Sequence, residues 1–366
     1  KSVVDSDNTI ILSSNLLTDT YTLRYENNDG ILTSYNEICT IDVIQGENVK
    51  YSSLIDENVA PIEATAIGIY NSSDEKGDEI ELNALKPENL GNKLYSFAAL
   101  SDVHVGAETS EEDFIRALEF ANDNSLEFVA ICGDLTYGGT DENLVRYKEL
   151  VDEYASVPVY GISGNHEANR KYLAMDALKE YTGQDLYYSF TSGDDVFIMM
   201  GVYDNHYNQE FSDAELDWLE DALEGNKDKT CFIFQHLFQG NGSGDAIDLD
   251  VKGEKLNNER GQRFYNLMSE YKENVIWFHG HSHEEFKIQE FNEMNNYDNL
   301  LGCHSVHISS LTYPKYIDGS DLSSNYYASE GYIVDVYEKA IILKGRDFLN
   351  EQYLPIATYQ LETIIE

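Results

Sequence analysis

The sequence predicts an α/β fold preceded by a small all-β domain, and three observations predict it. From Leu94 onward, strand-length apolar runs alternate with segments of helical period, the pattern of a sheet packed by helices. Before that point the runs are short, alternate with period two and are separated by turn-rich stretches, which is the pattern of an all-β domain. Most of the later strands also run into a His, Asp or Asn.

Residues 1–93 are rich in Asn, Asp, Thr, Tyr and Ile. Their apolar runs are NTIILSS, DTYTLRY, ICTIDVI and ATAIGIYNSS, divided by NNDG, QGEN and DEKGDE. Short strands broken by Gly, Asn and Asp turns predict a small β-sandwich. No charged, polar or cysteine cluster there can carry chemistry. KPENLGNK (86–93) reads as the linker to a second domain spanning 94–366.

In that second domain the predicted strands are 95–103, 127–134, 157–163, 196–204, 231–236 and 275–280. Helices lie between them. Ser110 with Asp113, and Ser212 with Glu215, have the spacing of a capping box. Leu144, Tyr147, Val151 and Tyr154 recur at helical spacing behind Thr140 and are read as core. The stretches YIVDVYEKAIILKGRDF and TYQLETI predict a closing hairpin and an edge strand.

Composition narrows the function classes. A hydrophobic fraction of 42% allows a sizeable core, and no run approaches the roughly 18 apolar residues of a membrane helix, so membrane insertion is not expected. Twenty-four basic against 67 acidic residues give a formal charge of −43. A field of that sign disfavours DNA, RNA and anionic lipid. The same acidity favours an extracellular or cell-surface setting, with the cytoplasm as the alternative. The chain opens at Lys1 without a basic-then-apolar leader. Cys39, Cys132, Cys231 and Cys303 lack zinc-finger spacing and are expected to be free thiols, a Cys39–Cys303 bridge being the alternative.

Five of the six strands end in, or lead into, metal-binding residue types. These are Asp102 and His104 in SDVH, Asp134 in CGDLTY, Asn165 and His166 in GNHE, His236 in FQH, and His281 and His283 in GHSH. In α/β sheets, loops beyond the carboxyl ends of strands converge, so residues spread over the chain can meet. A carboxylate can bridge two cations, and neutral imidazole suits Zn, Mn and Fe. Two ions about 3.5–4 Å apart can hold a hydroxide and stabilise in-line attack on phosphorus. Gly133, Gly164 and Gly280 beside these positions let the backbone turn sharply.

The series Asp102-x-His104, Gly133-Asp134, Gly164-Asn165-His166-Glu167, His236 and Gly280-His281-x-His283 resembles the calcineurin-like metallophosphoesterase family. The resemblance runs over roughly residues 97–284 and implies a four-layer αββα sandwich. It implies a hydrolase with two divalent or mixed-valence metal ions, Mn, Fe or Zn. One ion would be held by Asp102, His104 and His283, the other by Asn165, His236 and His281, with Asp134 bridging both. His166 would be the catalytic acid or a phosphate contact, its pKa of about 6.5 open to being raised by a nearby phosphate or carboxylate. Glu167 is read as a solvated surface residue, with orientation of His166 as the alternative.

The sequence also departs from parts of the family. Tyr137, in Gly133-Asp134-x-x-Tyr137, matches purple acid phosphatases, where that Tyr binds ferric iron. Their first motif lacks the His present here as His104, so Tyr137 is expected to line the pocket, with iron ligation as the alternative. The Asp-Arg-Gly continuation of protein Ser/Thr phosphatases is absent after Asp134. GDLTYGGTDENLVRYKELV is similar to small bacterial phosphodiesterases of the class III cyclic nucleotide type. The resemblance thus implies a small-molecule phosphodiester substrate, with a phosphomonoester as the alternative and an inactive surface binding protein as the rival from another class. His279 is expected to pack in its strand, His206 to lie at the surface or near substrate, and His304 and His307 to lie in the core or at the surface, with support of a ligand by one of them as the alternative. The loops 205–211, 238–255 and 311–331 are expected to set substrate preference, with the Gly-rich FQGNGSGDA (238–246) bordering the cleft.

Overall fold

In the computed structural model of the chain, the described residues are 2–4, 9–27, 30–33, 37–47, 49–52, 64–81, 90–168, 173–202, 211–237, 239–240, 247–248, 259–286, 297–298, 303–318 and 321–362. His206 and most of the Gly-rich loop lie outside them. The chain divides into two compact units. One comprises Lys1–Leu94, Asp335–Arg346 and Glu351–Glu362, and the other is built on Tyr95–Val334 with Asp347–Asn350.

In the first unit, period-two alternation places one face of each strand inside. Strand β1 (Asp19–Asn27) buries Tyr21, Leu23 and Tyr25 while Thr20, Thr22 and Arg24 stand outward. It pairs antiparallel with β2 (Cys39–Val43) and β3 (Ala66–Tyr70), and β3 pairs with β4 (Lys76–Glu81). A second sheet has three short strands, Val3–Val4, Thr9–Ile11 and Lys50–Ser52. Ile10 and Leu12 share one apolar cluster with Leu23, Ile41, Ile67 and Ile69.

In the second unit, β5 (Lys93–Leu100) leads by way of α1 (Ser110–Asp123) to β6 (Phe128–Ile131). The chain continues through α2 (Asp141–Tyr154), β7 (Val159–Gly161), α3 (Asn165–Ala168) and α4 (Leu173–Thr182). Strands β5, β6 and β7 are parallel neighbours. The second sheet contains β8 (Tyr187–Ser192), β9 (Asp195–Met200), β10 (Cys231–Gln235), β11 (Val275–His279) and β12 (His304–His307), with Tyr297–Asp298 at its edge. It carries α5 (Asp213–Gly225) and α6 (Glu259–Glu270). Strands β9 to β12 run parallel, and β8 is antiparallel to β9.

The four layers follow from the apolar patterning. Phe97 and Phe128 of the first sheet meet Phe190, Phe197 and Phe232 of the second, with Phe97–Phe197 centroids 5.2 Å apart and Phe128–Phe197 4.9 Å apart. Edge-to-face packing of this kind adds to the apolar area the rings bury. Helices α5 and α6 cover the outer face of the second sheet through Leu216, Leu219, Phe264 and Met268 against Ile198, Ile233 and Trp277. On α1 and α2 the buried apolar positions are Phe114, Ala117, Leu118, Ala121, Leu144, Tyr147 and Leu150, while Val151 and Tyr154 are half-buried.

Three expectations change in detail. The Ser212–Glu215 capping box forms, and Thr140 caps α2 through Asn143 N–H, but the box at Ser110 does not. Thr109 occupies that cap at φ 65°, Ser110 Oγ turns back to donate to the Ala107 carbonyl at 2.8 Å, and Asp113 accepts from Thr109 Oγ1 instead. Strand β8 has no counterpart among the predicted strands, because all but one of its side chains are half-buried or exposed and they carry no clear apolar face. The C-terminal strands β13 (Glu330–Tyr337), β14 (Ala340–Asp347) and β15 (Gln352–Glu362) follow one another in order, with β15 outermost. Residues 335–346 and 351–362 pack with the N-terminal unit rather than being grouped with the rest of 94–366. Ala340 and Ile342 bury against Leu90, Asp335 pairs with Lys93, and Tyr353 packs on the N-terminal apolar cluster. None of Cys39, Cys132, Cys231 and Cys303 is in a disulfide. Among the described residues, no helix is long and apolar enough to cross a membrane.

Candidate metal centre

Each of the eight predicted site residues follows the carboxyl end of a strand. Asp102 and His104 follow β5, Asp134 follows β6, Asn165 and His166 follow β7, His236 follows β10, and His281 and His283 follow β11. The loops are laced together by backbone bonds. Asp102 N–H donates to the Gly133 carbonyl at 3.2 Å, His104 N–H to Asp134 at 3.0 Å, and Gly280 N–H to His236 at 3.0 Å.

The side chains converge in two groups that share one carboxylate. Asp102, His104, Asp134 and His283 offer ligand atoms all within 4.8 Å of one another, as do Asp134, His236 and His281. Asp134 Oδ2 lies 3.3 Å from His236 Nε2 and 3.8 Å from His104 Nε2, while its Oδ1 accepts from the His166 backbone N–H at 2.8 Å. Asn165 Oδ1 is 3.0 Å from His236 Nε2, which places the amide beside the second group.

These residues fit a pair of cations. Asp102 Oδ2 accepts from Ser101 Oγ at 2.7 Å and from His281 N–H at 3.0 Å. Asp102 Oδ1 is fully buried and receives no hydrogen bond; it points at His283 Nε2, 3.0 Å away. His104 Nε2 and His283 Nε2 face each other at 2.9 Å. An orphaned carboxylate oxygen and converging ring nitrogens are an arrangement that a cation satisfies and that water-free burial otherwise penalises. His236 Nδ1 donates to the Cys132 carbonyl at 2.7 Å, which turns Nε2 toward the centre.

The backbone is strained at the same places. Of ten non-glycine residues with positive φ among the described residues, five are Asp102, His104, Asp134, His281 and His283. Each left-handed residue costs on the order of 1 kcal/mol or more. Such strain persists only where surrounding contacts over-determine it, and that over-determination keeps the donor atoms convergent.

Burial and charge set the protonation pattern. Burial pushes the His236 pKa down, but Asp134 and then Asp102 outweigh it and raise it to about 9. Burial, aided by His236, lowers His281 to about 4, and burial also lowers His283. Burial alone would raise both carboxyls. It is outweighed at Asp102 by His283 and His236 and at Asp134 chiefly by His236, so both are held well below the usual range.

His166 stands at the rim, its side chain 28% exposed. Gly138 N–H donates to its Nδ1 at 3.0 Å, leaving Nε2 as the protonated nitrogen, 3.9 Å from Asp134 Oδ2. Its pKa is lowered rather than raised, because burial outweighs the Asp134 charge. Glu167 is not at the surface. It is fully buried and accepts from Thr136 N–H, Thr136 Oγ1 and Gly164 N–H at 2.9, 2.7 and 2.9 Å. It straps the Asp134 loop to the Asn165 loop, and burial raises its pKa to about 6. Tyr137 is half exposed with its ring 5.3 Å from His166, lining the rim as expected.

Three further residues frame the centre without a signal in the sequence pattern. Tyr313 lays its ring on His104, with centroids 5.4 Å apart and planes 18° apart, and lies 5.0 Å from His283. It falls in the 311–331 loop, but a single tyrosine there carries no periodicity to mark it. Ser101 supports Asp102. Ser282, between the two histidines of GHSH, lies 2.8 Å from His307 Nε2, and His307 is buried, while His279 packs in β11 beside Ser305.

A 3',5'-cyclic-nucleotide phosphodiesterase of Nostoc sp. is 23% identical over 209 residues, covering 54% of this chain and 74% of that protein. A dimetal phosphatase from Danio rerio superposes with a TM-score of 0.52 at 16% identity, covering 74% of this chain and 99% of that one. A purple acid phosphatase from yellow lupin gives 0.52 at 13% identity, covering 97% of this chain and 72% of that one. At these identities the two structures speak for the shared fold. The profile of calcineurin-like phosphoesterases matches residues 95–285, just over half of the chain, and the chain belongs to that family.

Proposed function

We propose that the chain hydrolyses a small-molecule phosphodiester at a two-metal centre. Asp102, His104, Asp134 and His283 would hold one ion, and Asp134, Asn165, His236 and His281 the other. The observation that carries this reading is the position of Asp134, whose carboxylate belongs to both converging groups. Two bound Mn, Zn or Fe ions would supply Lewis-acid stabilisation of the phosphoryl oxygens and lower the pKa of water.

The chain's own groups define the rest. Water attacks phosphorus as the bond to the leaving oxygen breaks; the proton the water gives up balances the one the leaving oxygen takes, and His166 Nε2–H stands at the rim to donate a hydrogen bond to that oxygen. Gly138 N–H on Nδ1 holds the neutral tautomer that presents this N–H. Glu167 keeps the two loops in register, so His166 and Asp134 keep their spacing. The likeness to a cyclic-nucleotide phosphodiesterase supports a diester substrate. The charge of −43 weighs against a nucleic-acid duplex and supports an extracellular or cell-surface setting.

The test is hydrolysis of a bis-aryl phosphate diester beside the aryl monoester, on chelated protein with and without Mn²⁺, Zn²⁺ or Fe²⁺, with bound metal counted by elemental analysis. Metal-restored diester cleavage with about two ions per chain is the expected result. Monoester cleavage alone would replace the diester reading with a phosphomonoesterase. A protein that binds no metal would overturn the proposal.

A further inference from the structure

Four tyrosines among the described residues are exposed: Tyr137, Tyr316, Tyr326 and Tyr327, at 51, 37, 46 and 84%. A large ring left in water forgoes roughly 1.5–3 kcal/mol of burial. Scattered over the surface such rings would need no explanation. Here one touches His104 and His166 by its ring, and the other three follow Tyr313, whose ring covers His104.

The segment that carries them is anchored to the site on both sides. Leu311 N–H donates to the Ser101 carbonyl at 2.9 Å and Thr312 Oγ1 to the Val103 carbonyl at 2.8 Å. Beyond Tyr313, Lys315 N–H donates to the His283 carbonyl at 2.6 Å. Tyr313 is thus pinned between the Asp102 loop and the His283 loop, and it holds φ 45°. The following hairpin, Lys315–Asp318 with Asp321–Ser324, returns the chain to Asn325, whose N–H donates to the Pro314 carbonyl at 2.6 Å. Asn325 Nδ2 also donates to Glu285 at 3.1 Å. Those bonds place Tyr326 against Tyr313, with centroids 6.0 Å apart.

We infer that Tyr137, Tyr313 and Tyr326 form an aromatic wall on the His104 side of the centre, and that it takes the planar ring of an aryl or nucleoside phosphoester. The inference rests on the reading of this centre as a phosphoesterase site and narrows its substrate class. The chemistry suits the surroundings. In a chain of net charge −43, exposed neutral rings attract a flat organic group without needing a cation. Stacking of a base on an aromatic side chain contributes on the order of 1–3 kcal/mol and tolerates any base identity. Tyr326 is a specificity residue in this scheme and touches no candidate ligand, so its removal should spare the metal centre.

The experiment is calorimetric binding of adenosine 5'-monophosphate and of ribose 5-phosphate to the Mn²⁺-loaded full chain, wild type beside Tyr326→Ala, Tyr326→Phe and Tyr137→Ala. The two ligands share a phosphate and a sugar and differ by the base. The wild type should bind the nucleotide about tenfold more tightly. That ratio should collapse toward one in Tyr326→Ala, fall in Tyr137→Ala and survive in Tyr326→Phe, with metal content unchanged throughout. Equal affinity for the two ligands in the wild type, no binding of either, or a ratio untouched by Tyr326→Ala would overturn the wall. Loss of the wall with two metals still bound would leave the phosphoesterase reading intact, whereas absent metal would remove that reading itself.

Discussion

Replacing Gly164 by alanine should disable the centre through one methyl group. A Cβ at this position would lie 2.1 Å from Asp134 Oδ1, 2.4 Å from its backbone nitrogen and 2.8 Å from its Cγ. Relief to ordinary contact at about 3.4 Å needs a displacement of about 1 Å at the Asp134 backbone. That backbone cannot yield locally. Asp134 already sits at φ 49°, its carbonyl accepts from His104 N–H, and its Oδ1 accepts from His166 N–H. Overpacking of this kind costs about 1–3 kcal/mol, and the strain falls on the carboxylate shared by both groups. Metal geometry tolerates only about 0.2 Å, and a misplacement of about 1 Å can lower a rate about a hundredfold. Thermal unfolding, bound metal by elemental analysis and Mn²⁺-activated diester hydrolysis on the same preparations should show a less stable protein with reduced metal content. Its rate should fall by about two orders of magnitude. Gly225→Ala, where the new Cβ meets nothing within 4 Å, should change stability by less than about 1 kcal/mol and leave metal content alone. A Gly164→Ala protein with two metals and wild-type turnover would refute the steric argument.

Three other outcomes are expected. Glu167→Ala strands three buried donors and should lower unfolding free energy by about 2–4 kcal/mol in a denaturant titration; a change below about 0.5 kcal/mol would contradict its role as a strap. His166→Ala should cut turnover by about 10²–10⁴ while bound metal stays the same, and parallel loss of metal would make it a ligand instead. His236, raised to about 9 by Asp134 and Asp102 against burial, stabilises the metal-free protein fully below about pH 6.5 and loses that contribution as pH rises through about 9. A cation must displace the same proton. Calorimetry should therefore show Mn²⁺ affinity rising up to about tenfold per pH unit between those values, with about one proton released per chain. A flat profile would mean that His236 is already neutral.

Much of this protein was legible in its sequence because the relevant signals are local. Period-two and helical spacing placed β5, β6, β7, β9, β10 and β11, each strand needing one or two faces buried. The residue types at the strand ends marked Asp102, His104, Asp134, Asn165, His166, His236, His281 and His283 before any distance was known. Long-range packing decided the rest. Glu167 reads as an ordinary acidic residue until Thr136 and Gly164 are found to donate to it across 31 and 3 positions. Tyr313 gains its place only when the loops of His104 and His283, 179 residues apart, close on it. The left-handed backbone at five of the converging residues is likewise invisible in composition, since Asp and His adopt it only where surrounding contacts outweigh its steric penalty. Sequence by itself determined which atoms could bind, because side-chain chemistry is intrinsic to each residue. Tertiary structure alone decided that they meet at one carboxylate, because convergence depends on hydrogen bonds and packing between segments with no local record of each other.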